Sequence, residues 1–164
     1  MAEPDGASRV SAASAPTQRT STTRPAVASW TLRVATAAAL GIDAVVHWQN
    51  ALAYDPVKTT ISQGQLFRAE AVVAVVVGLL VLLRPRPSSW VAALLVAGSA
   101  LAAVLLYRYV DVGPLGPLPD MYENTWQVPG KLLSAYAEGA AVVLAALGLR
   151  TYRRLLGAGD AARS

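Results

Sequence analysis

Five ionisable side chains stand inside stretches that are otherwise almost wholly apolar: Asp43, His47, Arg68, Glu70 and Glu138. A charge at the centre of a bilayer-crossing helix costs about 2.5–3.5 kcal/mol on insertion scales, so such groups persist where they are paired, wetted or used. Three carboxylates face one guanidinium and one imidazole. Ionised together they make a negative layer that suits a cation, a cationic amine or a proton in transit. Asp43 and His47 are four residues apart and share a helix face, which Asn50 continues. Ser134 and Glu138 have the same spacing, and Lys131 extends their face. Arg68 and Glu70 are two apart and point to nearly opposite sides. Glu70 is therefore expected to face inward, and Arg68 to snorkel or pair at the rim.

Other chemistry is excluded by what is missing. The 164 residues include no cysteine, which removes thiolate nucleophiles, disulfide exchange and Cys-ligated zinc or iron–sulfur centres. A single histidine completes no multi-imidazole metal or haem site; as a metal ligand, His47 would need a second chain to finish the sphere. No Walker A, HExxH, GxSxG or dinucleotide fingerprint occurs. No catalytic residue, metal or cofactor is expected.

The elements that must position these groups are four apolar runs, at about 30–50, 66–83, 90–109 and 132–149. Each approaches the roughly 20 residues a helix needs to cross about 30 Å of hydrocarbon. Composition agrees: 54% of residues are hydrophobic and only 15% charged. An ordinary soluble domain has about 25% charged residues. Core helices of a soluble bundle would also keep a polar face, which the second to fourth runs mostly lack. The expected fold is all-α, a polytopic membrane protein built as a four-transmembrane-helix bundle. Residues 1–28 show no period and are expected to form a disordered tail, residues 29–152 the transmembrane domain, and 153–164 a second tail.

Ten of the fourteen Lys and Arg residues lie in the N-terminal tail with Arg33, in the short Arg84–Arg86 turn, or at the C-terminus. The positive-inside rule then gives an N-in/C-in topology in the inner (cytoplasmic) membrane of a bacterium. This pattern, rather than a polyanion, explains the net charge of +4, and no nucleic-acid partner is expected. The outer connections are the longer ones. The second carries Pro114, Pro117, Pro119 and Pro129 and should be rigid and irregular, with room for one short turn at DMYENTW (120–126). At 1.5 Å per residue, Asp43 and Glu138 lie about 10 Å in from the outer helix ends, Glu70 about 7–8 Å, and His47 and Arg68 about 4–5 Å. All five fall in one outer layer. Small residues at Ala37/Gly41, Ala93/Ala97, Gly98/Ala102 and Ala137/Ala141/Ala145 permit close helix approach.

The order of features includes His47, GQLFRAEAVVAVV (64–76), PDMYENTW (119–126) and KLLSAYAEGAA (131–141). Together these resemble small four-helix integral membrane proteins of actinobacteria, over roughly residues 30–150. The resemblance implies the four-span fold and brings no assigned activity.

The polar layer admits two roles. As interhelical contacts worth under about 2 kcal/mol each, its members would fix packing. The chain would then be an accessory or scaffold subunit of a membrane complex, with the bilayer and other subunits or a second copy as partners. Alternatively, Asp43, His47, Glu70 and Glu138, supported by Arg68, Ser134 and Lys131, form a protonatable ligand or ion site of a small carrier or sensor.

Overall fold

The computed structural model describes residues 23–161, with side chains over 29–154. It is all-helical: α1 (Thr23–Ala51), α2 (Gln63–Leu83), α3 (Pro87–Tyr109) and α4 (Lys131–Ala161). Each contains a stretch long and apolar enough to cross a membrane, at Ser29–Ala51, Gln63–Leu83, Pro87–Tyr109 and Lys131–Arg154. Among the described residues no strand forms, only the isolated bridges Lys58–Ser62 and Leu115–Leu118. Every helix starts earlier than its apolar run; α1 and α4 also end later, whereas α2 and α3 end with theirs. α1 begins at Thr23, inside the segment expected to be a disordered tail, and α4 continues to Ala161. Hydropathy marks where apolar surface ends; a helix stops only where its backbone bonding does. Residues 1–22 and 162–164 of the expected tails lie outside the described residues.

Local signals set the helix ends. Ser62 accepts from the Gln65 amide at 3.0 Å, while the Gln65 side chain accepts from the Ser62 amide at 2.9 Å, a closed capping box at the start of α2. Pro87 opens α3, where its missing N–H costs nothing. Arg33 donates to the Leu82 carbonyl and ties α1 to the last turn of α2.

The helices pack in cyclic order, each on its chain neighbour, with α4 closing back on α1; the α2–α3 seam is the loosest. The seams are built from small residues. Ala71 and Ala74 of α2, Ala93 and Ala97 of α3, and Ala137, Ala141 and Ala145 of α4 are buried. A methyl on Gly78 would meet the Ala37 backbone at 3.6 Å, so α1 and α2 nearly touch through their main chains. Large residues take the outside: Val72, Val75, Val76, Leu79, Leu95 and Val143 are exposed. A bundle with small residues in its seams and Val and Leu on its surface has the pattern of helices facing lipid.

The three-residue link at 84–86 joins α2 to α3 at one end of the bundle, here the hairpin end. Connections 52–62 and 110–130 share the other, the loop end. The expected short turn at 120–126 is absent, and the segment is irregular. The Glu123 amide bonds the Tyr107 carbonyl at 3.0 Å, and the Tyr122 amide bonds the Asp120 side chain at 2.9 Å. These bonds take the donors that a helical turn would have used.

Candidate functional site

Helices α1 and α4 place two carboxyl groups on opposite sides of one hydroxyl. Ser134 Oγ lies 2.6 Å from Asp43 Oδ1 and 3.0 Å from Glu138 Oε1. Asp43 and Glu138 are each only 1% exposed. Ser134 and Glu138 meet because they are one turn apart on α4; the bond to Asp43 requires α1 and α4 to be in register at this level. His47, one turn from Asp43, brings Nδ1 to 2.9 Å from Asp43 Oδ1. Its ring is steadied edge-on by Phe67 of α2, with centroids 5.0 Å apart. One ligand atom each from Asp43, His47 and Glu138 can be chosen so that all three lie within 4.8 Å of one another.

The hydrogen-bond inventory is incomplete in an informative way. A hydroxyl carries one proton, so Ser134 donates to Asp43 or to Glu138 but not to both. The second contact is a hydrogen bond only when that carboxyl itself carries a proton. Beyond this pair, Asp43 Oδ2, Glu138 Oε2 and Glu70 Oε1 are buried without a partner among the described residues. Buried carboxylate oxygens normally find donors, and leaving one unpaired costs about 1–3 kcal/mol or more.

Beside the cluster lies a cavity of about 450 Å³ lined by all four helices. Its walls are apolar, from Leu66, Phe67, Val73, Ala100 and Val104. His47, Glu70, Ser134 and Glu138 belong to its polar part, as do Asn50, Gln63 and Lys131, and Met121, Glu123 and Val128 of the 110–130 connection reach over it. Glu123 holds that connection in place. Its carboxylate accepts from Tyr54 Oη at 2.7 Å and Lys131 Nζ at 3.0 Å. Burial, and then the Glu123 carboxylate, push the Tyr54 hydroxyl above its ordinary value of 10, so it remains a donor. Trp126 lies under both Arg108 and Lys131, at 5.7 and 5.9 Å from the ring centre.

No protein-family model, curated protein or solved structure matches this chain.

The structure thus brings Asp43, His47, Ser134 and Glu138 together, with Glu70 on the same cavity. The two other supporting residues are held by partners outside the cluster, although Lys131 also lines the cavity. Lys131 is taken up by Glu123, and Arg68 leaves the layer for a bidentate pair with Asp55 at 2.6 and 2.8 Å. Tyr54 reads from the sequence only as a boundary aromatic, and Asp55 and Glu123 carry no signal, because they lie in connections without periodicity.

The Asp55–Arg68 pair predicts a pH effect. Arg68 holds the Asp55 carboxyl below its ordinary value of 3.8. A carboxyl depressed in the fold contributes stability above its unfolded value and loses it as pH falls through the folded one. Asp55→Asn is therefore expected to lower the melting temperature slightly at pH 7, with the gap to wild type closing as the pH drops below the ordinary value of 3.8. A gap unchanged in acid would show that the pair contributes nothing. The pair is solvent-exposed, so the effect is small.

Proposed function

We propose that the chain is a multi-pass protein of a bacterial inner membrane, both termini cytoplasmic, that binds a small cation from the outer side. The buried Asp43–Ser134–Glu138 cluster is its site, which makes it a small carrier or sensor. The observation that carries this reading is the set of three buried carboxylate oxygens without a partner among the described residues, two of them on Glu70 and Glu138, which line one cavity. Contacts serving packing alone would be satisfied within the protein, as Arg68 with Asp55 and Lys131 with Glu123 are. Surplus acceptors of one sign, next to a space that admits a ligand, suit a positive guest. The apolar walls of the cavity strengthen the attraction by keeping the local dielectric low.

A melting panel on the purified chain in lipid nanodiscs tests this, with sodium, potassium, octylammonium and zinc chlorides added in turn. A ligand at a hundred times its Kd stabilises by about 2.7 kcal/mol. For a chain of this size that is several degrees, at roughly 2–4 °C per kcal/mol. At least one cation is expected to raise the melting temperature of the wild type, with the rise lost in Glu138→Gln. If none does, the layer is packing, and the accessory or scaffold subunit of a membrane complex takes this reading's place.

A further inference from the structure

We infer that Asp43, His47 and Glu138 form a binding site for a divalent transition-metal ion of the zinc class, resting on the cation-site reading above. The histidine, read from sequence as needing a second chain, finds its co-ligands within its own bundle. Two carboxylates and a neutral imidazole sum to a charge of −2, which a divalent ion cancels and a monovalent ion does not. One ligand atom from each residue lies within 4.8 Å of the other two. In a sphere with bonds of about 2.0–2.2 Å, neighbouring ligand atoms sit roughly 3.4 Å apart. The three groups are thus within small side-chain rotations of a coordination shell.

The second observation is independent of that clustering. Asp43 Oδ2 and Glu138 Oε2, on side chains 99% buried, have no partner among the described residues. Each is an anionic acceptor that a metal would satisfy. The mixed nitrogen and oxygen set selects the ion, because imidazole favours zinc, iron, nickel and copper, whereas magnesium prefers oxygen ligands and retains its waters. The outer-shell support that ordered metal ligands need is also present. Ser134 bonds Asp43, and Phe67 holds the His47 ring. Three protein ligands leave a coordination position open, and His47 and Glu138 both border the cavity that Glu70 shares. Glu70 lines that cavity with an oxygen that has no partner among the described residues, but it stands outside the three-residue group.

Isothermal titration of the full chain in nanodiscs, with zinc chloride and separately with magnesium chloride, tests the assignment. One zinc per chain is expected, with magnesium binding at least a hundredfold more weakly. Asp43→Asn, His47→Gln and Glu138→Gln should each weaken zinc by about a hundredfold or more, since loss of mere outer-shell support already costs 10–100-fold. Glu70→Gln should weaken it less than any of these. Cooperative melting of each variant shows that it is folded, and the three substitutions sit on two helices, so one misfolded variant leaves the others decisive. Zinc binding that survives His47→Gln, or magnesium binding as tight as zinc, overturns the assignment. If the melting panel responds to sodium, potassium or octylammonium while zinc fails to bind, the metal assignment falls and the cation site stands. If nothing binds, both fall.

Discussion

Gly64→Ala is expected to collapse the yield of folded protein. Helix propensity alone points the other way, since alanine is favoured over glycine in a helix by about 1 kcal/mol. The close approach of the chain decides the sign. A methyl at Gly64 would stand 2.2 Å from the Ala51 carbonyl oxygen, 2.3 Å from Asp55 Oδ1 and 2.9 Å from the Asp55 amide nitrogen. Two of these three are backbone atoms and cannot rotate aside. Overpacking a core in which side chains can yield costs about 1–3 kcal/mol. Here the end of α1 must separate from the start of α2, so the loss lies at or above the top of that range.

The consequences reach the site. The Gly64 amide bonds the Tyr54 carbonyl at 3.2 Å, and the Gln63 amide bonds the Val57 carbonyl at 2.8 Å. These bonds fold the 52–62 connection so that Asp55 meets Arg68 and Phe67 meets His47. Yield of monodisperse protein and its melting temperature check the prediction. A variant that melts within about a degree of wild type would show that the α1–α2 junction is more yielding than its packing implies.

How much of this was readable in advance depended on periodicity. The four helices were, because twenty-residue apolar runs separated by prolines and arginines admit few other structures. So was the shared depth of Asp43 and Glu138, which needed only the helix rise and an estimate of where each run ends. That Ser134 would bridge them was half legible: its spacing puts it on the face of Glu138, but contact with Asp43 depends on the register of α1 against α4. The partner of Arg68 was not readable. Asp55 lies in a connection whose path is set by the capping box at Ser62 and the approach at Gly64. Glu123 was hidden for the same reason. Its amide, its carboxylate and the nearby Trp126 tie an irregular segment to α3, α4 and the first connection, and no hydrophobic pattern records such ties. The metal-compatible grouping is not legible in the sequence, because one histidine with Asp43 one turn away looks insufficient until Glu138 arrives beside them from a distant part of the chain.

The second large effect concerns those carboxylates directly. The double variant Asp43→Asn, Glu138→Gln is expected to make the cation-free protein more stable. Both replacements keep shape and hydrogen-bonding capacity, so Ser134 retains an acceptor on each side. They remove two acidic groups that are 99% buried and hold unpaired oxygens. Replacing buried ionic groups with well-packed hydrophobic residues of similar volume is often neutral or stabilising by about 1–4 kcal/mol, and amides of the same shape capture the part of that gain that comes from removing the charge. Against this stands the loss of the charge-assisted contact between Asp43 and His47, worth about 1.5–3 kcal/mol where such bonds are well made. That contact spans a single helical turn and draws on one oxygen alone. Removing the buried charge of both residues outweighs it, for a net gain of about 1 kcal/mol. A site that holds strained, unsatisfied groups for a ligand shows this trade of stability for binding.

The most direct measurement is therefore the melting temperature of wild type and this double variant, side by side in nanodiscs, first with a chelator and then with added zinc. Without cation, the variant is expected to melt a few degrees above wild type. With zinc, wild type should rise and the variant should not respond. If the variant instead melts below wild type without cation, and neither zinc nor any other cation of the melting panel moves either protein, the carboxylates are packing contacts and the protein has no cation site there.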